Sequence, residues 1–231
     1  MVKISILIPA YNEEATIVLL LERVRAQRIS GVEFEILVID DGSKDKTREL
    51  LAARPELYDQ LILQSKNGGK GAAVKAGLAA ATGEYILFQD ADLEYDPADY
   101  AKLLRPVLEW QADLVMGSRF VAPECTRVFY FWHRIGNQLI TLLFNILNNT
   151  TFTDIYSCYL LYRRALVRPD EVCSLGWEQQ AEILTLAVER GKKLYEVPIS
   201  YFGRSYDEGK KIRAHHAFAV IGMIIRKRLF G

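Results

Sequence analysis

The chain has 231 residues, half of them apolar and a quarter charged, which is enough to bury a full core and excludes a disordered tail. Lys plus Arg and Asp plus Glu number 29 each, so the formal net charge is zero, and no nucleic acid is expected as a partner because a phosphate-neutralising surface needs a basic excess. The three cysteines, Cys125, Cys158 and Cys173, fit neither a disulfide framework nor a zinc-ligand spacing and point to a reducing compartment.

Met1 to Pro9 lacks the h-region and small-residue cleavage site of a secretory leader, so a cytoplasmic location is expected. Short β-rich runs then alternate with helical patterns, the signature of a sheet covered by helices on both faces. The predicted strands are Lys3 to Ile8, Phe34 to Asp40, Leu61 to Gln64, Tyr85 to Asp90 and Asp113 to Ser118. Between them Ile17, Leu20, Leu21 and Val24 recur at helical spacing, Asp45 to Arg54 follows a turn with capping residues, and Gly71 to Ala81 is Ala-rich. Pro97 opens a further helix. This predicts a five-strand Rossmann-like unit over roughly residues 1 to 120, with ligands outside the carboxyl ends of the strands.

The second half is less regular. It predicts an apolar helix over Phe129 to Leu147, a strand over Thr153 to Tyr162, a helix around Glu178 to Arg190, a strand over Lys193 to Ser200 and a terminal helix. His133, Arg134, Asn137, Gln138 and Asn145 interrupt the first of these, and Ala217 to Ile225 is too short to span a bilayer, so no transmembrane helix is expected. With no repeat and no low-complexity linker, the chain reads as one domain with a C-terminal elaboration.

The chemistry concentrates at the predicted strand ends. QDADLEYD delivers Asp90, Asp92 and Glu94 at alternate positions after a buried run. Carboxylates so clustered suit Mg²⁺ or Mn²⁺ bridging a diphosphate. The same string also reads as a solvated turn before a helix, with Asp96 as its N-cap and Pro97 at its first position. IPAYNEE ends the first strand, and VIDDGSKDKT ends the second with Asp40 and Asp41 at the functional edge. SKNGGKGAAVKAG, after the third, has neither a P-loop nor a GxGxxG fingerprint, but its glycines admit a ligand close to backbone and Lys70 supplies positive charge. Arg119 leaves the fifth strand, Arg127, His133 and Arg134 sit among Phe129, Tyr130, Phe131 and Trp132, and Arg204 precedes Lys210 and Lys211. Cations interleaved with aromatics suit a phosphate headgroup whose lipid tail lies on an apolar surface, and equally an ordinary core helix with a charged rim. Phe218, Ile221, Ile225 and Leu229 on one face, with basic Arg226, Lys227 and Arg228 at the end, suit a helix in an anionic interface or one docked on the sheet.

In order and spacing, IPAYNEE, VIDDGSKDKT, GGKGAAVKAG, QDADLEYDP and GSRF resemble the GT-A glycosyltransferases of family 2, most of all the dolichyl-phosphate mannose and glucose synthase branch. The resemblance covers most of the chain. It implies an α/β, Rossmann-like GT-A fold with a mixed, mainly parallel sheet, residues 1–120 binding the nucleotide sugar and residues 121–231 the acceptor. It implies a nucleoside-diphosphate sugar of the UDP-glucose or GDP-mannose type as donor, with Pro9, Tyr11, Glu13, Ile39 and Asp41 around the nucleoside and Lys70 nearby. Asp90, Asp92 and Glu94 would then hold Mg²⁺ or Mn²⁺ on the diphosphate, although many relatives carry Gln at the place of Glu94. The implied acceptor is a polyprenyl phosphate at a peripheral membrane surface, its phosphate near Arg119 and Arg204, with Arg127, His133 and Arg134 as further candidates. Asp92, Arg119 and Arg204 become the expected catalytic groups of an inverting displacement. Glu182, in GWEQQAEIL, is the candidate base if a hydroxyl acceptor needs one.

Three alternatives stand beside this one. A nucleotidyltransferase should carry a Gly-rich basic loop after the first strand, where IPAYNEE has none. A receiver-like signalling module should have an acidic pair there, where this chain has Asn12, Glu13 and Glu14 past a proline. A family 2 enzyme acting on a saccharide hydroxyl shares every motif above.

Overall fold

Strands β1 (Val2–Ala10), β2 (Val32–Asp40), β4 (Tyr85–Phe88) and β5 (Leu114–Ser118) are the near-continuous apolar runs of the sequence, as strands covered on both faces must be. With β3 (Gln60–Leu63), β6 (Leu160–Arg163) and β7 (Leu194–Pro198) they form one seven-stranded sheet in the order β3-β2-β1-β4-β6-β5-β7. The computed structural model describes residues 1–121, 131–204 and 216–230. Pairing is parallel from β3 through β4 and again between β5 and β7, whereas β6 runs antiparallel to both of its neighbours. The expected five-strand unit is thus not contiguous, because a strand from the second half separates β4 from β5.

Strand parity assigns the helices to opposite faces. Helix α3 (Lys70–Ala80) lays Gly77 on Ile39 and Leu7, where an added Cβ would come within 2.9 Å of the Ile39 Cδ1. Helix α4 (Tyr100–Trp110) instead sets the Tyr100 ring 5.8 Å from Phe34. Ile39 and Phe34 are five apart on β2 and therefore point to opposite faces. Helices α1 (Ile17–Ala26) and α2 (Thr47–Ala53) complete the first half. Asp96 accepts the Ala98 N–H at 3.0 Å and Pro97 opens a 3-10 turn that runs into α4, as the capping pattern predicts.

In the second half α5 (Phe131–Asn148), α6 (Gln179–Arg190) and α7 (His216–Phe230) pack on one another, with α6 also meeting α3. Residues 181–188 of α6 are all buried, whereas α7 buries Val220 and Ile224 and leaves Phe218 exposed. The predicted strand over Thr153 to Tyr162 exists only from Leu160. Before it, side chains take the backbone donors a ladder would have used: Glu196 accepts from the Thr153 and Asp154 N–H groups, Asp154 from Tyr156, and Thr141 from Ile155. Among the described residues no helix is long and apolar enough to cross a membrane.

Candidate functional site

Because β1, β2, β4 and β5 run in the same direction, the loops after Ala10, Asp40, Phe88 and Ser118 meet along one edge of the sheet. There they open a cavity of about 760 Å³. Pro9, Tyr11 and Asp41 line one end, Glu13, Lys70, Asp90, Asp92, Glu94 and Arg204 the middle, and Arg119, His133 and Arg134 the other.

Each group is held by identifiable bonds. Asp41 accepts the Gly68 and Gly69 N–H groups at 2.8 and 2.9 Å, and burial still raises its pKa. Gly69 adopts φ +90°, a left-handed conformation that closes the glycine turn, and Gly71 donates its N–H to the Leu175 carbonyl at 2.8 Å. Lys70, the first residue of α3, sets its Nζ 2.5 Å from Asp90 Oδ1 and 5.2 Å from the Trp177 ring centre. Burial pulls down the Lys70 pKa, but the adjoining Asp90 carboxylate outweighs it and the group stays charged.

The Asp92 to Glu94 turn contains Leu93 at φ +62°, an uncommon conformation for a branched residue, and one found where a backbone is bent to present a site. Asp92 is half-buried, and desolvation together with the charges of Asp90 and Glu94 pushes its carboxyl up to about 7. Glu94 faces the opposite strap of chain: it accepts the Tyr201 hydroxyl at 2.8 Å and the Arg204 N–H at 2.7 Å. The Arg204 guanidinium lies 3.1 Å from Asp92, 3.6 Å from Glu13 and 3.8 Å from Glu94.

This geometry tests whether a divalent cation fits. Glu13, Asp90, Asp92 and Glu94 outnumber Lys70 and Arg204, so the middle of the cavity carries excess negative charge, and its donors are all oxygens, as Mg²⁺ or Mn²⁺ requires. The expected three-carboxylate cage is corrected, since Glu94 is committed to Tyr201 and the Arg204 backbone. Among the described residues no three acidic, histidine or cysteine side chains converge on one point. Asp90 and Asp92 remain as the pair able to hold a cation whose other ligands come from a diphosphate.

Three further expectations change. The Ile39 side chain is core beneath α3 and does not line the cavity. Glu182 is buried away from the cavity, where Oε2 accepts the Cys173 and Ser174 N–H groups at 3.1 and 2.8 Å and Oε1 meets Lys227 at 3.3 Å. It does not line the cavity, and its contacts are those of a structural carboxylate. Arg119 does line the cavity, but its guanidinium is a buried fork on Asp154, at 2.7 and 2.8 Å, with its face 5.1 Å from the Tyr201 ring. Arg134 stacks on Phe120 at 5.5 Å. Arg127, Lys210 and Lys211 lie outside the described residues. The cavity also takes in Tyr156, Cys158, Trp177, Gln179 and Gln180, which sequence reading passed over. The one signal available was a tryptophan beside Gly176 ahead of the amphipathic α6.

The sequence profile described as Glycosyl transferase family 2 matches residues 5–168, which include every strand that builds this edge. The chain belongs to that family. It is 30% identical over 213 residues to the undecaprenyl-phosphate 4-deoxy-4-formamido-L-arabinose transferase of Photorhabdus laumondii, an alignment covering 90% of this chain and 62% of that one. The enzyme of the same name from Pseudomonas aeruginosa (strain LESB58) is 30% identical over 212 residues, covering 90% and 60%. This chain therefore spans about three fifths of the length of these relatives. Among solved structures, glucosyl-3-phosphoglycerate synthase from Mycobacterium tuberculosis shares the GT-A fold. Its complex with Mn²⁺, UDP and glucosyl-3-phosphoglycerate superposes with a TM-score of 0.70 at 20% identity, over 98% of this chain and 80% of that one. Its complex with Mg²⁺ and UDP gives 0.71 at 21%, over 98% and 79%.

Proposed function

We propose that this family 2 chain is a hexosyl or pentosyl transferase that moves sugar from a nucleoside diphosphate to a polyprenyl phosphate. The observation that carries the reading is the layout of the cavity: an acidic middle with paired Lys70 and Arg204, and an aromatic end beside α5 that carries Arg134, His133 and the Asp154-paired Arg119. Relatives named for undecaprenyl phosphate support the acceptor, and the Mn²⁺ and UDP complexes of the M. tuberculosis enzyme support the donor class. Residues 1–120 then serve mainly the donor and residues 121–231 mainly the acceptor, with Arg119 reaching to the acceptor end and Trp177 and Arg204 to the donor part.

In the reaction an acceptor phosphate oxygen attacks the anomeric carbon as the bond from that carbon to the diphosphate oxygen breaks, and the nucleoside diphosphate leaves with the electron pair. Asp90 and Asp92 are the residues that would hold a divalent cation, whose chemistry is to neutralise the leaving diphosphate. Lys70 adds a fixed positive charge beside the same group, and such preorganised charge is the chief source of rate acceleration expected at this site. Asp41 and the glycine turn shape the nucleoside end. Arg119, oriented by Asp154, and Arg134 present positive charge to the incoming phosphate. A phosphate is already anionic at neutral pH, so the attack needs no general base, in keeping with the structural position of Glu182.

The surface beside the acceptor end supports a lipid partner. Phe131, Trp132, Leu139, Leu142 and Ile146 of α5 and Phe218 of α7 are exposed, with Trp132 77% and Phe218 78% accessible. Arg134, Arg226 and Arg228 are exposed on the same two helices. A wide apolar face with cations at its margin suits a peripheral position on an anionic lipid surface.

The test is to incubate the protein with Mn²⁺ and radiolabelled UDP-glucose, GDP-mannose or a UDP-pentose, offering undecaprenyl phosphate in one arm and an oligosaccharide in the other. Label is expected in the lipid with one of the donors and in neither arm for Asp92→Ala. Label entering the oligosaccharide and not the lipid overturns the acceptor.

A further inference from the structure

The acidic middle of the cavity is already occupied by a side chain of the protein. Asp92 has two oxygens: Oδ1 accepts the Glu94 N–H at 3.1 Å, and Oδ2 faces the Arg204 guanidinium at 3.1 Å. A cation entering here must share Oδ1 with that N–H and take the place of the guanidinium at Oδ2.

The Arg204 side chain is not there by chance rotation. An antiparallel bridge joins Tyr95 to Tyr201, the Phe202 N–H donates to the Glu94 carbonyl at 2.9 Å, and the Arg204 N–H donates to the Glu94 carboxylate at 2.7 Å. Those bonds lace residues 201–204 to the acidic turn and deliver the guanidinium into the space between Asp92, Glu13 and Glu94. Glu13 is fixed in turn, its N–H donating to Thr47 Oγ1 and its carboxylate accepting the Thr16 hydroxyl. Yet the guanidinium fits this nest incompletely. Its Nε has no hydrogen-bond partner among the described residues, and its distances to Glu13 and Glu94 are longer than a hydrogen bond. The guanidinium meets Asp92 closely and Glu13 and Glu94 only at longer range, so negative charge around it stays in excess, and a compact, doubly charged ion on Asp92 and Asp90 can replace it once a diphosphate completes that ion's shell.

We infer that Arg204 is a resident competitor for the cation seat at Asp92, closing that seat while the cavity holds no nucleotide and yielding it only to a cation that arrives with a diphosphate. The inference rests on reading the cavity as a nucleotide-sugar site. A bare divalent ion gains one or two carboxylates by entering and must displace a charge-assisted pair, so its affinity is low. Metal together with nucleoside diphosphate gains the phosphate ligands as well and overcomes the same competition. Binding of the two is thereby coupled through one side chain.

The test follows binding of Mn²⁺ alone, read from the electron paramagnetic resonance signal of the free ion, with no sugar transfer involved. Wild type is expected to bind Mn²⁺ weakly, and Arg204→Gln at least tenfold more tightly, because the competitor is gone. Arg204→Lys, which keeps the charge but lacks the planar fork, should fall between them and covers the case in which the glutamine variant does not fold. Asp92→Asn added to Arg204→Gln should cancel the gain. Arg134→Gln, which removes a cavity cation that does not touch Asp92, should change the affinity less than twofold. Equal or weaker Mn²⁺ binding by both Arg204 variants overturns the inference, as does an equal gain in Arg134→Gln. Calorimetry of wild type with Mn²⁺ and UDP or GDP separates the two readings. Nucleotide uptake without a gain in the Arg204 variants sinks the competitor and leaves the donor site. A gain in the variants with no nucleotide uptake supports the competitor and sinks the donor assignment.

Discussion

Glu182 and Lys227 meet at 3.3 Å across the seam of α6 and α7, while the second oxygen of the same carboxylate holds the Cys173 and Ser174 N–H groups. The loop so fixed gives its Leu175 carbonyl to Gly71 and continues to Trp177 against Lys70. Glu182 is thus a positioning residue, acting through that loop. Glu182→Gln weakens one or both backbone bonds and should cost about 1–3 kcal/mol, a fall in Tm on the order of 5 °C. Turnover is expected to drop without any change in the shape of its pH profile. Loss of the acidic limb of that profile, measured from pH 5 to 9, would instead restore Glu182 as a base.

Arg119 and Asp154 form a buried two-bonded ion pair, with the Arg119 N–H also donating to Asp154 at 3.1 Å. Removing one charge of such a pair strands the other, so Asp154→Asn should cost about 3–5 kcal/mol. By thermal unfolding that is a shift on the order of 10 °C for a chain of this size. With the fork loosened, KM for the phosphate acceptor should rise several-fold while KM for the donor stays within about twofold of wild type. A parallel rise in both would show that Arg119 serves the whole cavity and not its acceptor end.

Much of this is legible from apolar runs and their punctuation, because β4, β5 and the carboxyl halves of β1 and β2 are buried on both faces and have to be written as apolar runs. β6 is harder to read, since Leu160–Arg163 continues a stretch in which side chains satisfy the backbone, and its partners on β4 and β5 lie far back along the chain and leave no local trace. The cavity residues Asp41, Lys70, Asp90 and Asp92 stood at strand ends and could be named from the chain. Glu94 and Ile39 were misassigned because motif position does not fix which way a side chain turns: Tyr201 draws one carboxylate away, and strand parity sends the isoleucine into the core. Trp177 and Asp154 were not found at all, because their roles depend on Lys70 and Arg119, far off in sequence.

Glu35 on β2 ties β1 to the turn that leads into β4, at a distance from the cavity. It accepts bonds from Ser5 and from the Thr82 hydroxyl and N–H, lies 3.2 Å from Lys3, and Ser5 in turn accepts the Gly83 N–H. Burial raises its pKa, but these bonds together outweigh it and hold the carboxyl down at about 2, against 4.5 for the free side chain. The folded value is the lower one, so its stabilisation is complete above about pH 4.5 and fades as pH falls from there toward 2. Discounted for solvent screening, the contribution is on the order of 2 kcal/mol. Glu35→Gln should therefore lower Tm at pH 7 by several degrees and converge with wild type near pH 2 to 3, as scanning calorimetry across that range would register.

Leu142 and Ile146 are 55% and 69% exposed on α5, one turn apart, and neither lines the cavity. Their only evident use is to lie against something apolar, and full burial of such side chains contributes about 1.5–3 kcal/mol each. Replacing both with serine leaves the packed face of α5, Ile140, Thr141 and Phe144, untouched, so Tm should move by no more than about 2 °C. Sedimentation with vesicles of mixed anionic and neutral phospholipid should show partitioning reduced at least tenfold, a figure below the roughly hundredfold to ten-thousandfold that two fully inserted side chains imply. Raising salt should weaken wild-type binding through Arg226 and Arg228 while leaving the apolar contribution in place. Vesicle binding that survives the double substitution, or a wild type that does not bind such vesicles, removes the lipid surface from the proposed function without touching the donor site.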